Sequence, residues 1–139
     1  MSKQTYHGSC HCGAARYRTR LDLSEPTTRC NCSICTKTRM WFAVAGADDF
    51  EMLEGVDSLT EYQWVPPERE GSFLHFQFCE HCGVRLYAWA DDPETGRFHA
   101  VVLASLDDVD ADTLAGAPIK RIDGRHDRFE AAPADVRLL

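Results

Sequence analysis

Seven cysteines in 139 residues, grouped as Cys10-x-Cys12, Cys30-x-Cys32-x-x-Cys35 and Cys79-x-x-Cys82, constrain this chain more than any other feature. Thiolates on one tetrahedral zinc have sulfurs about 3.8 Å apart, because each Zn–S bond is about 2.3 Å, so ligands arrive as close sequence pairs from tight turns. Both C-x-C and C-x-x-C spacings meet that demand. Gly13 and Gly83 directly follow the two pairs, where the backbone must double back around a metal. An odd count excludes a closed framework of intramolecular disulfides. The opening MSKQTYHGSC has no apolar core of the kind a secretory signal needs. A reducing, cytoplasmic setting is the expectation.

Two pairs supply four ligands and the triple supplies three, which accounts for every cysteine and predicts two different metal sites. Cys10, Cys12, Cys79 and Cys82 would close a structural tetrahedron that clips the N-terminal segment to a turn some 70 residues later. Cys30, Cys32 and Cys35 would leave a zinc with an open fourth position, as catalytic or ligand-binding zinc requires. Two alternatives stay open for the triple: a site closed by a histidine, with His75 or His99 the best-suited ligand, and a redox or metal-free thiol cluster. His11 and His81 sit inside the pairs and would point away from a metal held by their neighbours.

The rest of the chain reads as one mostly β domain, residues 1–139. Leu, Ile, Val and Phe make up only 29 of 139 residues, so the apolar core is modest and metal staples matter. Alternating patterns suggest strands at Ala14 to Leu21, Trp41 to Ala45, Phe50 to Leu53, Leu59 to Val65, Phe73 to Phe78, Arg85 to Ala90 and His99 to Ala104. In the fifth, Leu74, Phe76 and Phe78 would share a buried face and Phe73, His75 and Gln77 the other. In the sixth, Leu86, Ala88 and Ala90 alternate with Arg85, Tyr87 and Trp89. Short helices are expected after Ser33 and from the acidic run Asp107, Asp108 and Asp110 to Leu114. The polar tail from Arg121, with a turn at Asp123-Gly124, reads as a strap across the sheet.

A net charge of −7, a pI near 5.3 and the lack of a basic tract argue against nucleic acid or an anionic membrane surface as partner. The longest apolar stretches, Trp41 to Ala45 and Ala100 to Leu103, are too short to span a bilayer.

Three thiolates on Zn²⁺ leave a net charge of −1, which disfavours water activation but suits a thiol as fourth ligand. Such a site needs nearby cations. Lys37 and Arg39 follow the triple directly, and Arg16 and Arg85 qualify if the sheet brings them close; each also has a plain reading as a solvated surface charge. Met40 and Trp41 would shape the rim of the site or simply fill core.

The segments Gly8-Ser9-Cys10-His11-Cys12-Gly13-Ala14, Cys30-Asn31-Cys32-Ser33-Ile34-Cys35, Phe78-Cys79-Glu80-His81-Cys82-Gly83, Leu106-Asp107-Asp108 and Asp123-Gly124-Arg125-His126-Asp127 resemble, in order, the glutathione-dependent formaldehyde-activating enzyme family, which includes the centromere protein V type domain. The resemblance implies a β-tent of packed antiparallel sheets with zinc knuckles and one or two short helices. It implies two zinc ions per chain with the same division of cysteines. It also implies carbon–sulfur lyase chemistry, in which glutathione condenses with formaldehyde to S-hydroxymethylglutathione at Cys30, Cys32 and Cys35; Lys37 and Arg39, as the cations nearest in sequence, are the candidates to meet glutathione's charge. Family members often carry Arg or Lys directly after the third cysteine of the triple and a Gly soon after; here Thr36-Lys37-Thr38-Arg39-Met40-Trp41 follows. The competing functions are a non-catalytic zinc module that binds a thiol metabolite or a protein, and a thiol redox sensor.

Overall fold

The structure is a computed structural model and describes residues 2–65 and 74–139. Strands β1 (Gln4–Ser9) and β2 (Arg16–Leu21) form an antiparallel hairpin around the first cysteine pair. In β2 the alternation is strict: Tyr17, Thr19 and Leu21 are buried, while Arg16, Arg18 and Arg20 face solvent. A third strand, Phe50–Glu54, pairs with β2 to complete a three-stranded sheet.

The larger sheet takes its strands from the whole chain. In chain order they are β3 (Thr27–Cys30), β4 (Trp41–Gly46), then β6 (Leu59–Gln63), β7 (His75–Cys79), β8 (Arg85–Asp92), β9 (Gly96–Val102) and β10 (Ile119–Ile122), with Phe50–Glu54 counted as β5. Their spatial order is β10-β3-β4-β9-β8-β7-β6. All pairings are antiparallel except β10 with β3, which run parallel.

Both faces of the larger sheet are covered at its centre. The cross-strand row Gln77, Tyr87 and Val101 faces the smaller sheet, where the Phe50 ring packs 5.1 Å from Tyr17, 4.4 Å from Tyr87 and 4.4 Å from His99. One residue along each strand, the row Phe76, Ala88 and Ala100 lies on the opposite face, in a second cluster with Cys30, Cys35 and Met40. This two-sided covering corrects the expectation that β7 buries one face only: Phe76 and Gln77 are both buried and His75 is half-buried. Phe73, expected to begin that strand, lies outside the described residues.

A register shift in the β7–β8 ladder pairs Phe78 with Arg85 rather than with Leu86. Leu86 is the extra residue and sinks fully into the core between the sheets. Simple alternation groups Arg85 with Tyr87 and Trp89; the bulge instead turns Arg85 onto the face of Phe76 and Phe78. Its guanidinium carbon lies 5.2 Å and 5.9 Å from those two ring centroids.

Two short helices match the sequence expectation. Helix α1 (Ser33–Thr38) follows the cysteine triple, and α2 (Ala111–Gly116) is capped by the Asp110 carboxylate, which accepts the Thr113 N–H at 2.7 Å. Three strands were not expected: β1, β3 and β10. No helix among the described residues is long and apolar enough to cross a membrane.

Candidate metal centres

The sulfurs of Cys10, Cys12, Cys79 and Cys82 converge in one group, and those of Cys30, Cys32 and Cys35 in another, with the atoms of each group within 4.8 Å of one another. None of the seven is joined in a disulfide. In the first group Cys12 Sγ lies 3.6 Å from both Cys10 Sγ and Cys79 Sγ, close to the spacing two thiolates take on a shared zinc. Two hairpin-like knuckles build it. Gly13 N–H donates to the Cys10 carbonyl at 3.1 Å and Gly83 N–H to the Cys79 carbonyl at 2.8 Å, and both glycines take positive φ, 79° and 74°. The Ala15 and His81 amides point at Cys10 Sγ and Cys79 Sγ, each at 3.4 Å, as donors to thiolates should. The amides of Cys12 and Val84 lead the interactions that hold Cys82 down at about 6. The residues present therefore fit a closed four-thiolate metal site.

The second group sits at the end of β3 and in α1, on the face of the larger sheet that carries Phe76, Ala88 and Ala100. Cys30 and Cys35 are buried and Cys32 is half-buried. The Cys32 and Cys35 thiols, directed at Cys30, pull it down to about 3, and the main-chain amides of Cys32 and Gly124 add to that against the cost of burial. The same sharing with Cys30 and Cys32 drives Cys35 upward. The trio thus releases one proton readily and holds the others until a cation replaces them, which suits a metal site.

No fourth Cys, His, Asp or Glu donor joins these three sulfurs among the described residues. His75 and His99, the histidines considered as a closing ligand, are engaged elsewhere. The His75 ring stacks on Trp89 at 3.8 Å with Nδ1 3.0 Å from Glu61 Oε2, and His99 stacks on Phe50. His11 and His81 are exposed, as expected.

The Asp123-Gly124-Arg125 loop, which follows β10, forms one wall of this group. Asn31 holds it: Asn31 Nδ2 donates to Asp123 Oδ1 at 2.7 Å, and the Arg125 N–H donates to Asn31 Oδ1 at 3.0 Å. His126 Nδ1 lies 2.9 Å from the same Asp123 oxygen. Gly124 packs so tightly on Cys30 that a Cβ there would overlap its sulfur.

A cavity of about 230 Å³ opens against Cys30 and Cys35 and is lined also by Arg29, Arg39, Met40 and Arg125. Of the four cations singled out in the sequence, Arg39 borders this cavity, whereas Lys37 is exposed and neither it, Arg16 nor Arg85 is in its lining. Arg29 and Arg125 were missed: one sits before the triple, the other ninety residues later, and only strand pairing unites them. Burial, together with Arg39 and Arg121, pushes the Arg29 pKa below its ordinary value, the mark of a crowded cationic corner. Arg16 is instead tied to the Gly13 carbonyl beside the four-sulfur group. Met40 belongs to the buried cluster of the triple, and Trp41 donates its Nε1–H to Thr27 Oγ1 at 2.7 Å.

The family model for the glutathione-dependent formaldehyde-activating enzyme matches residues 5–119, a span that contains all seven cysteines. The chain belongs to this family. A putative glutathione-dependent formaldehyde-activating enzyme of Halomonas elongata is 34% identical over 96 residues, covering 62% of this chain and 55% of that protein. The chain thus spans about half the length of the curated relative it matches. A Rhodobacter sphaeroides protein, solved as a crystal structure, superimposes with a TM-score of 0.64 at 26% identity, over 82% of this chain and 99% of that one. Family membership accounts for the β-tent, whose two sheets and short helices the structure displays.

Proposed function

We propose that this chain is a zinc-dependent carbon–sulfur lyase that joins glutathione to formaldehyde, giving S-hydroxymethylglutathione, in the reducing cytoplasm. The observation that carries this reading is the cavity opening onto Cys30 and Cys35, lined by three arginines against the one carboxylate of Asp135, beside three sulfurs with no fourth donor among the described residues. Cys30, Cys32 and Cys35 would hold the catalytic zinc, and Cys10, Cys12, Cys79 and Cys82 a structural one. When bound at the triple, zinc supplies a soft electrophilic centre that favours the deprotonated form of a thiol near neutral pH.

The remaining work falls to the chain. Arg29, Arg39 and Arg125 draw an anionic thiol toward the sulfurs and offset the negative charge that collects there. Met40 and the Phe76 cluster back the sulfurs with apolar surface, which lowers the local dielectric and strengthens those attractions. The reaction balances without a redox partner: a C–S bond forms as the carbonyl π bond opens, and the thiol proton ends on the new hydroxyl oxygen.

Exchange NMR on a glutathione and formaldehyde mixture tests the reading. Micromolar wild-type protein should accelerate interconversion of free and hydroxymethylated glutathione, and Cys32→Ser should abolish the acceleration while the clip zinc remains. An exchange rate that wild-type protein leaves unchanged refutes formaldehyde activation by this chain.

A further inference from the structure

The segment beyond β10 supplies part of the wall of the three-cysteine cavity. Asp135, Leu138 and Leu139 line it together with Cys30 and Cys35. The family model ends at Ile119, so this part of the wall lies outside what family membership accounts for. Two hydrogen bonds tie the segment to the domain. At one end the Asp123 N–H donates to the Ala131 carbonyl at 2.9 Å, and at the other Arg121 Nε–H donates to the main-chain oxygen of Leu139 at 3.0 Å. Among the described residues, the hydrogen bonds of 132–138 stay within the segment: Leu139 N–H to the Val136 carbonyl, and Arg137 to the Asp135 carboxylate. Leu138 is 78% exposed, so little apolar burial holds the middle of the segment in place. A stretch with few buried apolar contacts and few hydrogen bonds to its domain opens at small cost. Ala131 and Ala132, small residues at the first anchor, are placed to absorb the rotation. Arg137 takes the Asp135 carboxylate through two nitrogens, at 2.9 Å and 2.7 Å, so the segment does not act as a stand-in anion for the cavity's arginines. Its role at the cavity is steric.

We propose that residues 132–139 are a hinged strap that sets the size of molecule able to reach Cys30 and Cys35, with the Arg121–Leu139 hydrogen bond as its latch. With the latch closed, Leu138 and Leu139 bound the cavity and slim molecules pass. With the latch open, the segment swings about Ala131 and the cavity loses that wall. The inference deepens the reading that chemistry takes place at the triple: a substrate bulky around its reacting atom enters only through the open strap.

Labelling of the purified full chain with two neutral maleimides that share a reactive headgroup, N-ethylmaleimide and pyrene maleimide, tests the strap. Rates at each cysteine group are read by mass spectrometry of the digested protein. A change in thiolate fraction or metal content alters both rates alike, so their ratio isolates steric access. In wild type, pyrene maleimide should lag behind N-ethylmaleimide more at Cys30, Cys32 and Cys35 than at the exposed Cys12. Arg121→Met should speed pyrene maleimide at the triple about tenfold, the weight of one charge-assisted hydrogen bond on a two-state equilibrium, and N-ethylmaleimide by less than about threefold. Arg121→Lys restores a donor and should return the ratio toward wild type. Leu138→Ala with Leu139→Ala lowers the wall while leaving Arg121 in place, and should favour pyrene maleimide too. Equal acceleration of both reagents, or of neither, overturns the strap. A wild-type ratio at the triple equal to that at Cys12 overturns it as well, whatever the variants do. Neither glutathione nor formaldehyde enters this experiment, so its failure leaves the lyase reading standing, and failure of the exchange NMR leaves the strap standing.

Discussion

Replacing Gly124 with alanine isolates the three-cysteine group from everything else in the fold. A Cβ at this position would fall inside 3.0 Å of Cys30 Sγ, 3.3 Å from Phe129 Cε1 and 3.5 Å from Cys32 Cβ. Ordinary contact begins near 3.4 Å, so either the sulfur or the loop must move by at least about 0.4 Å, twice the roughly 0.2 Å tolerance of a metal–ligand distance. The loop resists, because Asn31 grips it through both Asp123 and the Arg125 amide. Overpacking of this kind costs about 1–3 kcal/mol. If that cost falls on Cys30, it lowers zinc affinity by roughly 5- to 150-fold. The assay is a stepwise chelator competition that follows zinc release from wild type and Gly124→Ala. One of two zinc ions should be released earlier, with the Cys10, Cys12, Cys79 and Cys82 ion unchanged. Two unchanged affinities would show that the Asp123-Gly124 loop does not press on the metal site, and the reasoning fails.

Two further perturbations probe the fold. Cys79→Ser removes a fully buried sulfur of the proposed clip; structural zinc contributes about 10–16 kcal/mol in small zinc modules against a typical domain stability of about 5–15 kcal/mol, so zinc should drop to one per chain and the cooperative thermal transition should vanish. Retention of two zinc ions with a sharp transition would contradict the clip. Burial, with Arg97 nearby, holds the His99 pKa below the ordinary histidine value. Between that lowered value and about 6.5 the unfolded chain binds more protons than the folded one, so stability rises with pH through the window and is lost as pH falls, with a slope of at most about 1.4 kcal/mol per pH unit. His99→Gln should flatten this dependence in urea titrations between pH 5 and 7; an unaltered slope would assign it to other groups.

Cysteine spacing was the most legible signal, because a metal imposes its own short geometry on sequence neighbours and leaves a pattern that needs no tertiary information. The long alternating strands were legible for a similar reason. The strands that escaped notice, β1 (QTYHGS), β3 (TTRC) and β10 (IKRI), carry too few apolar residues for a clear alternation, and their partners supply the burial. Thr27–Cys30 reads as part of a cysteine cluster until Ile119–Ile122 is seen beside it. Arg85 was assigned to the wrong face because a single extra residue, Leu86, inverts the alternation, and a bulge has no signature in one sequence. Arg29 and Arg125 could not be joined for the same physical reason: their meeting is decided by a parallel pairing across ninety residues.

That parallel pairing also orders events in time. All four clip ligands exist once residue 82 has been made, and the triple itself once residue 35 has been made. The wall that closes over Cys30 belongs to residues 123–125 and can dock only after β10 has joined the edge of β3. A nascent chain would therefore present both cysteine groups before the cavity beside Cys30 has that wall, and docking of residues 123–125 would supply it.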